Sequence, residues 1–154
     1  MTKILFVCLG NICRSPMAEF YMKDLVARRG LAGRFHIASA ATSTEELGSP
    51  DYPPARAELA RHGIGCAGHA ARQLTGTDYS RWDLLVGMDG ANLRNMIRIC
   101  GGDPEGKIVR LLDPTPRPGD VADPWYTGDF QATWRDVEEG CGALLDKLEQ
   151  EGRL

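Results

Sequence analysis

Short apolar runs alternating with amphipathic stretches of helical length predict an α/β fold. The expected form has three layers, a four-stranded parallel sheet with right-handed crossovers and helices on both faces. Two observations carry this. Each apolar run is followed by a segment long enough for a crossover helix. The first run, Ile4-Leu5-Phe6-Val7, is apolar without alternation, as a strand buried on both faces must be.

The elements follow in order. Ser15 to Arg29 reads as a helix with Ser15 as N-cap and Pro16 at its first position, where a missing N–H costs nothing. Met17, Phe20, Tyr21 and Leu25 fall toward one side of it, and Gly30 ends it. Phe35 to Ala38 is a second strand, and Pro54 to His62 a short helix closed by Gly63. Trp82 to Val86 is the third strand, Gly90 to Ile99 a helix, and Ile108 to Leu112 the fourth strand. The four prolines between Asp113 and Asp129 make that stretch a long loop. Phe130 to Gln150 is the closing helix, with Trp134, Val137, Cys141, Leu144, Leu145 and Leu148 at helical spacing.

The chain has 154 residues and 43% hydrophobic content, enough to bury a core, and no repeat or linker divides it, so one domain over 1–154 is expected. A net charge of −3 without any basic run argues against nucleic acid as a partner. The N-terminal apolar run is too short for a signal segment and no run approaches a membrane span. Five cysteines, an odd number, fit a reducing compartment better than a disulfide framework, and a cytoplasmic location is expected. Cys66, Cys100 and Cys141 read as packing residues, and His36 and His62 as surface or packing residues. Cys66 and His69 with Cys8 and Cys13 lack the paired spacing of a zinc site, and Arg14 would repel the ion, so no metal and no cofactor is expected.

The informative segment is Val7-Cys8-Leu9-Gly10-Asn11-Ile12-Cys13-Arg14-Ser15-Pro16, in which Cys8 and Arg14 enclose five residues between a strand and a helix start. Helix N-termini present free backbone N–H groups and the positive end of the dipole, which attract anions and favour a thiolate. Leu9, Gly10, Asn11, Ile12 and Cys13 would supply loop amides to a phosphate, and Arg14 a planar fork for two of its oxygens. An acidic protein that binds phosphate dianion must build its positive potential locally in this way. Parallel sheets bind ligands at the carboxyl ends of their strands, where Cys8 stands and where the Pro-rich loop returns.

A thiolate attacking a phosphate monoester expels an alkoxide or phenoxide, which leaves faster when a carboxylic acid donates a proton to it. Asp113, Asp120, Asp123 and Asp129 are the candidates in the loop, and the residues alone leave Asp113-Pro114 open beside Asp123-Pro124. Asp123 alone is followed by aromatics, Trp125 and Tyr126, which could flank a flat substrate or pin the loop.

The stretch Cys8 to Ala18, together with Asp123-Pro124-Trp125-Tyr126, resembles the low-molecular-weight protein tyrosine phosphatase family. Ser39-Ala40-Ala41-Thr42-Ser43, His69-Ala70-Ala71-Arg72-Gln73, Met88-Asp89-Gly90-Ala91-Asn92 and Thr127-Gly128-Asp129-Phe130 are similar as well, so the resemblance runs through most of the chain. It implies a strand order of 2-1-3-4 and hydrolysis of phosphotyrosine in proteins through a phosphocysteine on Cys8, with Arg14 binding phosphate and Asp123 as general acid and base. It implies that Asn11, Ser15, Ser39 and His69 brace the phosphate loop by hydrogen bonds. It also implies that Cys13 can close a reversible disulfide with oxidised Cys8, the alternative being an ordinary small loop residue. Tyrosine-phosphorylated proteins, and a partner tyrosine kinase, are the implied partners.

Two positions bear on selectivity. Glu45 falls where many relatives place Trp or Tyr as a wall of the cleft; a carboxylate there would not stack and would repel acidic substrate segments. Ile12 stands where the phosphoarginine-specific branch of the family carries Thr, which favours phosphotyrosine over phosphoarginine. Competing readings are a Cys-phosphorylated phosphocarrier, which has no use for Arg14 or a distant acid, and an arsenate reductase, which needs a cysteine relay that Cys66 and Cys100 lack.

Overall fold

Strand β1 (Thr2–Cys8) occupies the middle of the sheet because Ile4, Leu5, Phe6 and Val7 have no exposed surface and need cover on both faces. The computed structural model describes residues 1–153. β2 (Phe35–Ala41) pairs on one side of β1, β3 (Leu84–Gly87) on the other, and β4 (Ile108–Arg110) completes a parallel sheet of order β2-β1-β3-β4. The register sets Cys8 opposite Ala41 and Val7 opposite Gly87, so the carboxyl ends of β1, β2 and β3 meet at one edge.

Alternation along β1 divides the core in two. Ile4, Phe6 and Cys8 pack with α1 (Arg14–Arg28), α2 (Pro53–Arg61) and α6 (Phe130–Gln150) through Met17, Met22, Leu59, Trp134, Val137 and Leu145. Leu5 and Val7 face the other way, onto Leu74, Trp82, Leu85 and Met96 of α4 (Gly90–Cys100). Each such buried apolar side chain contributes about 1.5–3 kcal/mol. Two short helices lie in connections expected to be irregular, α3 (Asp78–Arg81) and α5 (Pro124–Thr127). Asp78 takes the Arg72 fork, the Thr75 N–H and the Trp82 indole N–H, tying up the turn so that β3 begins at Leu84, not Trp82.

The start of α1 differs from expectation in an instructive way. The helix begins at Arg14 with Cys13 as its cap residue, and no side chain caps it. Ser15 is not the N-cap; its hydroxyl is committed to Cys8 and Asn11 instead. Pro16 is still in the first turn, where its missing N–H leaves no bond broken. β2 runs to Ala41, three residues beyond the expected end, because it stays paired with β1 as far as Cys8. Among the described residues no helix is long and apolar enough to cross a membrane.

Candidate active site

The loop Leu9–Cys13 joins β1 to α1, and its carbonyls are taken from outside. The Thr42 N–H donates to the Cys8 carbonyl (2.9 Å), the Ser43 N–H to Leu9 (3.0 Å) and the Tyr52 N–H to Ile12 (2.9 Å), while His69 Nε2 bonds the Asn11 carbonyl (2.9 Å). A trans peptide directs its N–H opposite to its C=O, so the amides of Leu9, Gly10, Ile12 and Cys13 turn away from these partners, toward the inside of the loop. That is the cradle an anion needs.

Asn11 makes the turn possible. It adopts a left-handed backbone, φ 59°, which Asn tolerates better than most residues. It is fully buried, and every polar group it carries is used. Its N–H donates to Cys8 Sγ (3.3 Å), its Nδ2 to Ser15 Oγ (2.8 Å), and its Oδ1 accepts from the Arg72 N–H (3.3 Å). Ser15 Oγ lies 3.0 Å from Cys8 Sγ, so the sulfur sits between a backbone donor and a hydroxyl.

Arg14 is almost wholly buried, its Nη1 donating to Asp89 Oδ2 (2.8 Å) and the Val121 carbonyl (3.0 Å), with Nη2 3.4 Å from Asp123 Oδ2. Burial opposes the guanidinium charge, but Cys8, Asp123 and Asp89 around it hold its pKa above the ordinary arginine value. Asp89 has two tasks. Its Oδ1 caps α4 through the Asn92 N–H in a reciprocal capping box, which leaves Oδ2 to orient Arg14.

Of the four loop aspartates, Asp123 alone lines the cleft above Cys8, a space of about 160 Å³. Its Oδ1 caps α5 by accepting the Trp125 N–H (3.0 Å), and Oδ2 faces Arg14. Asp113 pairs with Arg110 at 2.9 Å, Asp120 with Arg110 and the Gly90 N–H, and Asp129 caps α6. Leu9, Gly10, Ile12 and Cys13 form the floor with Cys8 and Arg14; Glu45, Trp125 and Tyr126 stand at the rim. Trp125 also leans on Tyr52, ring centroids 5.0 Å apart, so it pins the loop, whereas Tyr126 is 81% exposed and free to meet a ligand.

Behind the loop lies a second layer that the sequence left largely unnamed. Ser39 touches not the loop but Glu19, donating to Oε1 (2.5 Å), and Glu19 Oε1 is 3.8 Å from His69 Nδ1. Ser39 thus braces the loop through Glu19 and His69. Asp51 lies 3.6 Å from His69 Nε2; burial pushes its carboxyl up, as it pushes the Cys66 thiol up to about 12. Glu46 lines the cleft beside Glu45 and is held by Ser49 Oγ (3.1 Å). Asp89 and Arg72 lie in segments that carry the family resemblance; Glu19, Asp51 and Tyr52 had no local signal. Cys141 and Cys66 are buried and Cys100 half-buried, as packing residues. Among the described residues no group of three or more His, Cys, Asp or Glu side chains is placed to hold a metal ion.

A parallel sheet carrying a cysteine loop with inward-turned amides at its carboxyl edge has the architecture of an α/β phosphatase. A family model described as low molecular weight phosphotyrosine protein phosphatase matches residues 3–154, and the chain belongs to this family of hydrolases. It is 38% identical over 156 residues to the low molecular weight protein-tyrosine-phosphatase YfkJ of Bacillus subtilis, covering 100% of both chains. It is 36% identical over 152 residues to the human low molecular weight phosphotyrosine protein phosphatase, with 94% of each covered. The crystal structure of YfkJ matches with a TM-score of 0.94, over 98% of this chain and 96% of that one. A Drosophila arginine phosphatase matches with a TM-score of 0.87 at 28% identity, over 95% of this chain and 97% of that one.

Proposed function

We propose that the 154-residue chain acts as one domain that hydrolyses phosphotyrosine in proteins through a phosphocysteine on Cys8. The observation that carries this reading is the convergence of Cys8, Arg14 and Asp123 on one cleft, although Asp123 is 109 residues from Arg14. The Cys8 thiolate attacks phosphorus and the bond from phosphorus to the tyrosine oxygen breaks. The protonated Asp123 carboxyl delivers its proton to the departing phenolate. The Asp123 carboxylate then takes a proton from a water that attacks the phosphocysteine, releasing phosphate and the thiolate. Arg14 and the inward amides of the loop hold the phosphoryl oxygens throughout, doing the work often given to a divalent cation. Ser15 Oγ stabilises the sulfur as it enters and leaves.

Because an arginine phosphatase shares the fold, selectivity rests on the cleft. Apolar Ile12 on the floor, with Trp125 and Tyr126 at the rim, suits a long planar phosphotyrosine better than phosphoserine or phosphoarginine. Five free cysteines fit action in a reducing, cytoplasmic setting, against proteins that a tyrosine kinase has modified.

The test is kinetic. Wild-type protein in EDTA should hydrolyse p-nitrophenyl phosphate and phosphotyrosine, and act far less on phosphoserine and phosphoarginine. Cys8→Ser should have no turnover yet retain tyrosine-phosphorylated proteins from a lysate. Asp123→Asn should slow phenyl phosphate, with its basic leaving group, by ~10²–10⁴ and an activated aryl ester much less. Turnover by Cys8→Ser would overturn the covalent mechanism. Equal losses on both esters for Asp123→Asn would overturn its role as acid.

A further inference from the structure

We propose that Tyr52 is a positioning residue for Asp123, a pin that sets the distance between the acid segment and the phosphate loop. The inference rests on the reading of Asp123 as general acid. Tyr52 stands back from the cleft, half-buried at the N-terminus of α2, and faces two ways. Its backbone N–H donates to the Ile12 carbonyl (2.9 Å), the bond that turns the Cys13 amide inward. Its ring packs against both Trp125, centroids 5.0 Å apart at 55°, and Phe130, 6.1 Å apart at 26°. Trp125 and Phe130 bracket the turn that follows Asp123, so one side chain clamps both ends of that turn.

The contact reaches the carboxylate through one hydrogen bond. Trp125 gives its backbone N–H to Asp123 Oδ1, which leaves Oδ2 aimed at the cleft and Arg14. Thr133 Oγ1 holds the Ala122 carbonyl (3.0 Å) before the acid, but beyond it the side chains of Trp125 and Tyr126 are largely exposed. Tyr52 is the aromatic partner of Trp125 there. A general acid must sit within hydrogen-bond reach of the leaving oxygen, so an ångström of drift is lost as proton transfer and not as phosphate binding.

The experiment measures kcat/KM, which reports the step that expels the leaving group, for phenyl phosphate and p-nitrophenyl phosphate with wild type, Tyr52→Ala, Tyr52→Phe and Asp123→Asn. The ratio of the two values is independent of the folded fraction, so partial unfolding of a variant does not disguise the answer. Tyr52→Ala should lower the phenyl to p-nitrophenyl ratio about tenfold, a part of the ~10²–10⁴ that the acid supplies. Tyr52→Phe keeps the ring contacts and should keep the wild-type ratio. An unchanged ratio for Tyr52→Ala, with Asp123→Asn showing its drop, overturns the pin and spares the acid. An unchanged ratio for Asp123→Asn overturns the acid, and the pin with it. A ratio that falls equally for Tyr52→Phe overturns the ring as the means.

Discussion

Two thiols share the floor of the cleft, and their surroundings give them different chemistry. Burial, with the charges of Cys8 and Asp123 adding to it, pushes the Cys13 thiol up to about 12, so it stays protonated at neutral pH. Cys8 faces a backbone N–H and a hydroxyl at the end of β1. Iodoacetamide at pH 7 should therefore alkylate Cys8 and leave Cys13 largely unmodified, as peptide mapping by mass spectrometry would read. Oxidation should reverse the relation. Peroxide should convert Cys8 to a sulfenic acid, whose oxygen the Cys13 sulfur should displace as water to close a disulfide. Inactivation should be reversed by thiol in wild type and become irreversible in Cys13→Ser. Equal recovery in the two would remove the resolving role of Cys13.

At the scale of elements, α6 meets the residue that follows β4 at a glycine. A Cβ on Gly140 would lie 2.5 Å from Leu111 Cγ and 3.0 Å from the Leu111 carbonyl oxygen, just past β4. The side chain could yield, but the backbone oxygen is held in the core. Gly140→Ala gains helix propensity of about 1 kcal/mol and loses about 1–3 kcal/mol to overpacking. A net loss of about 1 kcal/mol is expected in denaturant unfolding. Gly142, two residues on, has nothing within 4 Å of its Cβ position, so Gly142→Ala should stabilise by up to ~1 kcal/mol. The same signs for both variants would mean that α6 is not seated on Leu111 as described.

Over the whole molecule, the buried Asp78 ties stability to pH in acid. Burial alone would push its carboxyl up, but the Arg72 fork, with both bonds at 3.1 Å, and the Thr75 and Trp82 donors hold it below the ordinary carboxylate range. A group with a depressed folded-state value stabilises above its unfolded value, near pH 4, and loses that contribution as pH falls through the lower one. Unfolding midpoints should therefore drop as the pH falls below about 4. Asp51, pushed up by burial, acts in the opposite sense: it favours the folded form at low pH and loses that as pH rises through its raised value. Asp78→Asn should be less stable at neutral pH and decline less in acid than wild type. Parallel declines would assign the acid limb to other carboxylates.

The order of strands and helices and the Cys8 to Arg14 spacing were legible in the sequence, because periodicity and short spacings encode geometry between near neighbours. The same locality explains why Cys8, Arg14 and the loop between them could be read as one unit. Tertiary structure decided the rest. The aromatics after Asp123 single it out in the sequence, but its meeting with Arg14 across 109 residues, and that of Asp89 across 75, is stated by no local pattern. Asp113 and Asp123 look alike as Asp-Pro pairs, yet one pairs with Arg110 and the other faces Arg14. Ser15 reads as a helix cap because capping is a local signal, and it becomes a partner of the thiol because folding sets Cys8 and Asn11 against it. Glu19, Asp51 and Tyr52 serve the loop from elements whose only shared property is where the sheet and its crossovers place them.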